Sequence, residues 1–315
     1  MKKTISILPY DPNWPNIFEQ EALRIKATLG DHFLEIHHIG STSVPGLASK
    51  PIIDMIIVVK DINHGISSLE NIGYIYRGEL NIPMRYYFKN ANNSVHIHMY
   101  EELHPEIELN LMFRDYLRSN TEKRDTYANL KQDILRDESS FIKESTKFVN
   151  YTLYKGNFIR SILKEAGFNR LRILKCSDET EWKAAKYFRD TYFFCPYGIE
   201  DPYTWTFNHE KHAHLVLYQG TEIIGYAHIQ FWPDKRAAMR IIVIDENKRD
   251  QNSGSKFLAF IEKWLKNLGI KSIHAESRKS SLNFYLKNGY INMPFDDPEE
   301  HESDPNDVPV GKVLT

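Results

Sequence analysis

The run that most constrains the fold is "PIIDMIIVV", residues 51 to 59, which follows the loop "HIGSTSVPGLASK". It is too short to span a membrane and too rich in Ile and Val for an exposed helix, so it predicts a central β-strand. The strand carries one acid, Asp54, and the loop begins with Gly40 and Ser41. A glycine turn whose backbone N–H groups bind phosphate, followed by an acid, predicts a ligand site in this half.

The composition describes a globular chain long enough for two cores. The protein has 315 residues, of which 42% are hydrophobic and 26% charged, with a net charge of -2. This charge balance lacks the positive excess typical of nucleic-acid-binding proteins. No apolar run is long enough to cross a membrane. Cys176 and Cys195 are the only cysteines, which fits a reducing compartment. The beginning, "MKKTISILPYDPNWP", has no secretion signal, so we expect a soluble cytoplasmic protein; the oligomeric state stays open.

Helices and strands alternate in the first half. Residues 16 to 29 predict a helix whose apolar stripe comprises Ile17, Phe18, Leu23, Ile25 and Leu29. "SVHIHMY", residues 94 to 100, alternates like a strand with His96 and His98 on one face. Three helical stretches follow: "IELNLMFRDYLRSN", "TEKRDTYANLKQDILRDE" and "FIKESTKFVNYTLYKGNFIRSILKEAGF". An Asn or Thr should cap the helix at the junction of the first two, and "GFNRLR" indicates a domain boundary.

The second half has a different order of elements. It predicts a strand "LRILKCS", a helix "ETEWKAAKYFRDTYFF", a hairpin turning at Gly220, a strand "AAMRIIVID", a helix "GSKFLAFIEKWLKNLG", a strand "IKSIHAES" and a short helix "SSLNFYLKNGY". Leu258, Ile261 and Leu265 fall on one face of the second helix, which should end at Gly269.

The loop "NKRDQNSGSKFL" joins a strand to a helix and predicts an anion site. Backbone N–H groups at the positive end of a helix bind phosphate readily. Gly254 should let a phosphate approach the backbone, and Asn252 tolerates the left-handed conformation that such loops need. Arg249 adds positive charge.

Residues 171 to 315 resemble the GNAT acetyltransferase superfamily. Its pyrophosphate loop reads Arg/Gln-x-x-Gly-x-Gly/Ala, and residues 249 to 254 fill these places with Asn252 instead of the first glycine. The resemblance implies acetyl-CoA as co-substrate, bound by Arg249, Gln251, Asn252, Ser253, Gly254 and Ser255, with the backbone of Val243 and Ile244 holding the pantetheine and polarising the thioester carbonyl. "NFYLKNGY" is similar to the family segment in which an Asn contacts CoA and a Tyr faces the thioester sulfur, which implies these roles for Asn283 and Tyr285.

Acyl transfer to an amine requires a base, carbonyl stabilisation and an acid for the leaving thiolate. Tyr285 is the candidate acid. Glu276 at the end of a strand and His228 in the hairpin are candidate bases, although His228 is equally consistent with an ordinary half-buried strand residue. The expected acceptor is a small-molecule amine or a protein amino group.

Two segments bear on that acceptor. The aromatic residues of "YFFCPYGIEDPYTWTF", 192 to 207, predict a wall of an acceptor pocket or part of a core. "DDPEEHESDPNDVP", 296 to 309, has seven acids and no Lys or Arg, so it would attract a cationic amine or form a solvated loop, which is the more common role of such runs.

The first half resembles the GrpB family, also called UPF0157. The resemblance covers residues 4 to about 168 through "PYDPNWP", "GSTSVPGLASKPIID", "HIHMY" and "FRDYLR". It implies a nucleotidyltransferase-like fold with a ligand site at Gly40, Ser41, Thr42, Lys50 and Asp54, and a nucleotide as a candidate partner. Transferases of that fold carry a second metal-binding acid where this chain has Ile56, which argues against two-metal catalysis.

Other groups are candidates for that site. His96 and His98 are candidate ligands beside Asp54, although Mg²⁺ prefers oxygen and strand histidines are more often ordinary polar residues. Lys50, Arg85 and Arg114 are candidate phosphate contacts. Mg²⁺ is therefore only a weak expectation for this domain, and binding of a nucleotide or phosphate without transfer is the favoured role.

Together these features predict an α/β (α+β) protein of two domains. Residues 1 to 168 form the nucleotidyltransferase-like domain, and residues 171 to 315 form a GNAT acyl-CoA N-acyltransferase domain with a mixed sheet. The expected activity is acetyl-CoA-dependent N-acetylation. The alternatives are nucleotidyl transfer by the first domain and a non-catalytic CoA or nucleotide sensor.

Overall fold

A computed structural model describes residues 6–137, 139, 150–249, 251–300 and 304–314. The chain separates into two compact units, Met1–Arg172 and Ile173–Thr315. Each unit has its own mixed sheet surrounded by helices, which confirms the predicted α/β class. No helix in the described ranges is long and apolar enough to cross a bilayer.

A five-stranded sheet with order β1-β2-β5-β4-β3 organises the first unit. Its elements are α1 (Trp14–Leu29), β1 (Phe33–Ile39), β2 (Ile53–Val59), α2 (Gly65–Asn71), β3 (Tyr74–Tyr76), β4 (Tyr86–Asn90), β5 (Val95–Glu101), α3 (Pro105–Ser119), α4 (Thr121–Arg136), α5 (Asn150–Leu153) and α6 (Gly156–Glu165). Strand β2 pairs antiparallel with β1 and parallel with β5.

Strand β2 is central, as its Ile and Val content predicts. Met55, Ile57 and Val59 pack into the core on one face, while Ile56 and Val58 pack on the other. Burial on both faces explains why this strand reads as a continuous apolar run with a single acid. The prediction for β5 is also confirmed, with His96 and His98 on one face.

The helices of this unit confirm part of the predicted pattern. Asn120 caps α4 by accepting from the Lys123 N–H. The buried stripe of α1 is Trp14, Phe18, Ala22, Ile25 and Leu29. The predicted stripe was wrong at Ile17 and Leu23, which are 37% and 68% exposed, because they lie off the line of positions that faces the sheet. Residues 141–149 of the last predicted helical stretch lie outside the described residues.

A seven-stranded sheet with order β11-β12-β10-β9-β8-β7-β6 organises the second unit. Its elements are β6 (Leu171–Lys175), α7 (Glu179–Arg189), β7 (His212–Gln219), β8 (Glu222–Trp232), β9 (Arg236–Ile244), α8 (Ser253–Asn267), β10 (Ser272–Ser277), α9 (Leu282–Lys287), β11 (Ile291–Asn292) and β12 (Val308–Val313). Strands β9 and β10 run parallel, whereas β9 pairs antiparallel with β8 and β10 pairs antiparallel with β12.

The second unit follows the predicted order up to α9. Gly220 turns the β7–β8 hairpin with φ 57°, and Gly269 follows α8 with φ 78°. Leu258, Ile261 and Leu265 are buried on α8 as predicted. Strands β11 and β12 were not predicted, because β11 is two exposed residues long and β12 follows the acidic segment.

Candidate functional site

Strands β9 and β10 separate in the middle of the second sheet. They pair only from Arg236 opposite Ser272 to Ala238 opposite His274, although β9 continues to Ile244 and β10 to Ser277. Arg240 is an extra residue against β8, because His228 pairs with Ile241 and Ile229 with Met239. Such a bulge bends a strand, and the bend accounts for the divergence. We call the resulting gap the seam.

The end of β9 directs alternate peptide groups into the seam. Asp245 donates its N–H to Ile224 O of β8 at 2.9 Å. Because successive peptide groups along a strand point in opposite directions, Val243 also faces β8, whereas Ile242 and Ile244 face the seam. The Ile244 carbonyl accepts from Arg249 Nε at 3.2 Å, which agrees with this direction. Of the two predicted pantetheine contacts, Ile244 therefore presents its N–H to the seam and Val243 does not.

The seam leads to the beginning of α8. Asn252 precedes this helix with φ 59° and ψ 13°, the left-handed conformation expected of it, and its side chain makes no capping bond. The backbone N–H groups of Ser253, Gly254 and Ser255 are the first three of the helix, where intrahelical acceptors do not exist. This is the arrangement that binds phosphate oxygens.

Gly254 has a different physical role from the predicted one. A Cβ there would lie 3.2 Å from Phe284 Cε2 and 3.7 Å from Ile244 Cγ1, so it would point into the protein, toward these two side chains. The glycine lets the beginning of α8 pack closely against β9 and α9. It thereby brings the seam, the anion loop and the α9 segment together.

The remaining loop residues surround this helix end. Arg249 is exposed, and its guanidinium lies 5.4 Å from the centroid of the Tyr192 ring. Gln251 is exposed as well. Residue 250 of the motif lies outside the described residues.

Helix α9 carries the predicted acid and the predicted CoA contact. Tyr285 is buried, with its ring packed at 5.3 Å from Phe284 and 5.1 Å from Tyr290 between centroids. Burial raises the pKa of its phenol, so the hydroxyl keeps its proton at neutral pH and can donate. Asn283 is exposed on the same helix.

Of the two candidate bases, His228 is deeply buried in a hydrogen-bonded network. Arg189 donates to His228 Nδ1 at 3.4 Å and to the Tyr226 hydroxyl at 3.3 Å. Because a guanidinium only donates, His228 Nδ1 is an acceptor, and its Nε2–H then donates to His212 Nδ1 at 2.9 Å. Burial and the Arg189 charge, together with His214, lower the pKa of His228 well below its usual range. Both nitrogens of this imidazole are therefore already engaged.

Glu276, by contrast, lies beside the seam. It is two residues beyond His274, the last β10 residue paired with β9, and it is half-buried. This position gives a carboxylate access to the space where the strands separate.

Both segments predicted to contact the acceptor belong to the second unit. Asp201 forms a buried ion pair with Arg189 that ties the aromatic segment to α7, with contacts of 2.6 and 2.8 Å. Tyr197, Tyr203 and Trp205 remain 61%, 43% and 51% exposed. In the acidic segment, the side chain of Asp297 is 5% exposed and paired with Arg240. Asp297 therefore stabilises the fold. Residues 301–303 of the segment lie outside the described residues.

In the first unit, Gly40 lies against Asp54. Gly40 has φ 68°, and a Cβ there would lie only 2.6 Å from Asp54 Oδ2. Ile39 pairs with Asp54 across β1 and β2, which sets this approach. The turn and the acid predicted from the sequence therefore lie against each other.

Asp54 is held by two imidazoles. His96 Nδ1 lies 3.2 Å and His98 Nε2 4.0 Å from Asp54 Oδ1. Burial acts to raise the pKa of Asp54, but the hydrogen bond from His96 and the nearby His98 imidazole outweigh it and lower that pKa. Among the described residues no group of three or more His, Cys, Asp or Glu side chains could hold a metal ion. One carboxylate and two imidazoles also do not match the oxygen ligands that Mg²⁺ prefers, so the Mg²⁺ expectation is not supported.

Ser41, Thr42 and Lys50 have different surroundings. Ser41 Oγ accepts from Lys131 Nζ at 3.2 Å, and Lys50 Nζ lies 3.9 Å from the centroid of the Tyr151 ring. Thr42 is fully buried, and its hydroxyl donates to Ile52 O. Thr42 thus stabilises the loop and is not positioned to contact a ligand.

The two arginines suggested as phosphate contacts hold backbone carbonyls. Arg114 donates to His38 O at 3.0 Å, and Arg85 donates to Glu79 O at 3.1 Å. In addition, Arg118 donates to Ser43 O at 2.7 Å. Cations of α3 thereby fix the loop that carries Gly40.

Two different protein families match the first and the second part of the chain. Residues 4–165 match the family described as GrpB protein, and residues 171–290 match the family described as Acetyltransferase (GNAT) family. A UPF0157 protein of Halalkalibacterium halodurans is 36% identical over 167 residues, which are 52% of this chain and 83% of the relative.

Two solved structures resemble one half each. The crystal structure of GrpB from Enterococcus faecalis is 36% identical with a TM-score of 0.45, covering 51% of this chain and 96% of that one. A GNAT-family acetyltransferase from Staphylococcus aureus is 15% identical with a TM-score of 0.38, covering 46% of this chain and 100% of that one. On the strength of the sequence matches, the chain belongs to the GrpB family through its first domain and carries a GNAT acetyltransferase domain after it.

Proposed function

We propose that the second domain is an acetyl-CoA-dependent N-acetyltransferase. The observation that carries the proposal is the seam between β9 and β10, which ends at the uncapped beginning of α8. A thioester arm lying along the seam would meet the Ile242 and Ile244 peptide groups, while its pyrophosphate would accept from the N–H groups of residues 253 to 255. Arg249 and Gln251 are the proposed side-chain contacts of the pyrophosphate, and Asn283 that of the CoA arm.

The proposed chemistry uses three groups of this chain. The acceptor nitrogen attacks the acetyl carbon, and N–H groups facing the seam stabilise the oxygen as it becomes negative. The C–S bond then breaks, and the Tyr285 hydroxyl gives its proton to the thiolate. The acceptor's surplus proton goes to a base.

Glu276 is the proposed base, because it is half-buried and borders the seam. His228 would have to break its bond with Arg189 before its Nδ1 could accept a proton, because its Nε2 already carries one. The Arg189 network instead positions the β8 face on which an acceptor would lie. We infer that the exposed rings of Tyr197, Tyr203 and Trp205 form a wall of the acceptor site.

The test is calorimetric titration of the full chain with acetyl-CoA, followed by an assay of released CoA thiol with polyamines, aminoglycosides and peptide amino termini. Binding with thiol release supports the proposal. Absence of acetyl-CoA binding contradicts it. Binding without release for any amine supports the alternative, a CoA sensor.

For the first domain we propose binding of a nucleotide or another phosphate ligand at Gly40, Ser41, Lys50 and Asp54, without nucleotidyl transfer. The support is Ile56, a buried core residue where a second acid would be needed. Incubation with radiolabelled ATP and magnesium should label no acceptor. Robust labelling that disappears in Asp54→Ala would favour the alternative, nucleotidyl transfer.

A further inference from the structure

Three lysines from separate parts of the first unit meet beside the Gly40 turn. Lys131 of α4 is 3% exposed, and its Nζ lies 3.2 Å from Ser41 Oγ. Lys50 Nζ and Lys155 Nζ lie 3.9 and 4.7 Å from the centroid of the buried Tyr151 ring. We call Lys50, Lys131 and Lys155 the lysine cluster.

These ammonium groups are close enough to repel one another. Burial and the Lys155 charge lower the pKa of Lys50 to about 8. Burial, Lys155 and Lys50 lower that of Lys131 to about 7. No ion pair of these three groups occurs in the part of the chain that the structure describes.

Among the residues that the structure describes, Asp54 is the carboxylate near the cluster. Asp54 counteracts the lowering of the pKa at Lys50 and at Lys155, so its charge reaches both. However, His96 already bonds this carboxylate at 3.2 Å. When all three lysines are protonated, the cluster has two positive charges more than Asp54 can balance. Uncompensated buried charge is costly, which is why buried cations are normally paired.

We propose that the lysine cluster binds the dianionic phosphate group of a ligand, and that the three ammonium groups replace the metal ion as its counter-charge. This inference rests on the proposed phosphate-binding role of the first domain and assigns its recognition to Lys131 and Lys155. A phosphomonoester carries about -1.5 to -2 charges at neutral pH, which matches the excess of the fully protonated cluster. Ser41 lies at the cluster and supplies a hydroxyl to the same group.

The charge of the cluster also disfavours a metal ion beside Asp54. A divalent cation at Asp54 would be repelled by Lys50 and Lys155, because both lysines are close enough to interact electrostatically with Asp54. Phosphate binding should therefore continue in the presence of a chelator. The phosphate can belong to a nucleotide or be free in solution, and the experiment separates these two sources.

The experiment follows thermal unfolding of the full chain in EDTA with inorganic phosphate, pyrophosphate or ATP, and with sodium chloride at matched ionic strength. We expect at least one phosphate compound to raise the first unit's melting temperature well beyond the chloride control. A response to ATP alone identifies a nucleotide ligand, and a response to inorganic phosphate identifies a free anion.

The discriminating variant is Lys155→Met, which keeps the aliphatic stem and removes the charge. We expect it to lose at least half of the phosphate-induced shift and, because repulsion is relieved, to melt no lower than the parent chain without ligand. Lys50→Met repeats the test if Lys155→Met does not fold. Lys60→Met is the matched control, since Lys60 is an exposed lysine at the end of β2 in the same unit.

Two results would overturn the inference. An unchanged phosphate shift in the cluster variant that folds would leave phosphate binding in place and remove the cluster from it. A lack of any shift with all three phosphate compounds would reject phosphate binding by this domain as well. Neither result bears on acetyl-CoA, whose binding is titrated separately.

Discussion

Tyr285 is the residue at which binding and chemistry should separate. A CoA thiol has a pKa near that of cysteine, about 8.5, so its departure as thiolate at neutral pH needs a proton donor. Tyr285→Phe keeps the packing against Phe284 and Tyr290 and removes that donor. We expect acetyl-CoA affinity to persist while turnover falls by a factor on the order of 10² to 10⁴. Unchanged turnover under conditions where chemistry limits the rate would make Tyr285 a packing residue.

Gly40 is held by two constraints that a matched pair of variants can separate. Gly40→Ala would place a Cβ 2.6 Å from Asp54 Oδ2 at a φ of 68°. Gly73→Ala has a similar left-handed φ, 89°, but nothing lies within 4 Å of its Cβ. Backbone strain alone costs about 1–3 kcal/mol, so Gly40→Ala should destabilise the first unit by more than Gly73→Ala does. Equal losses in denaturant unfolding would show that the contact with Asp54 does not matter.

Lys131 should make the stability of the first unit depend on pH. Its pKa is about 7 in the folded chain and about 10.5 when unfolded, so between these values the unfolded chain binds the extra proton. The free energy of unfolding contributed by this residue therefore increases as pH rises from about 7 to 10.5, and its penalty is complete below pH 7. Unfolding measured across this range should show a shallower increase for Lys131→Met. An identical slope in both chains would mean that folding does not lower the pKa of Lys131.

Among the secondary-structure elements, the loop before α8 gives the clearest prediction. Asn252 occupies a left-handed position at which the family pattern has glycine. Asn252→Gly should keep or improve acetyl-CoA affinity, because glycine adopts this conformation without strain. Asn252→Val should weaken it, since a β-branched residue opposes φ 59° and the N–H groups of α8 would be displaced. Calorimetric titration checks both, and equal affinities would place the anion elsewhere.

Elements with a regular apolar pattern were predictable from the sequence, and elements with polar interruptions were not. Strand β2 is apolar throughout, whereas β1, "FLEIHHI", mixes Glu and His with its apolar residues and was not predicted. The two loops were predicted as ligand sites through their glycines. Lys131 was overlooked because helical lysines usually face solvent. Its signal was present, however: Tyr127, Lys131 and Ile134 occupy the buried face of α4 at helical spacing.

The reason for a glycine is harder to predict than its position. The sequence indicated that Gly254 belongs to the anion loop, but only the structure shows that its missing side chain makes room for Phe284. Likewise, the choice between His228 and Glu276 depends on hydrogen bonds between residues far apart in the sequence. Such long-range contacts leave no local pattern.

At the scale of the whole molecule, two units with separate cores should respond to different ligands. Acetyl-CoA at 100 times its dissociation constant should stabilise the unit that binds it by about 2.7 kcal/mol. In scanning calorimetry we expect it to raise the transition of the second unit and not that of the first. Lys155→Met should leave this response intact. An equal rise in the melting temperature of both transitions would show that the two units unfold cooperatively.

The seam has a consequence for the protein's behaviour when it carries no ligand. Past Ala238 and His274, β9 and β10 no longer pair, so each presents peptide groups to the gap. Exposed strand edges are templates on which other chains add strands, and proteins normally protect them. A pantetheine arm in the seam would act as a substitute strand. Bound acetyl-CoA would then limit self-association as well as supply the acyl group. The ligand-free protein would be the form most prone to self-association.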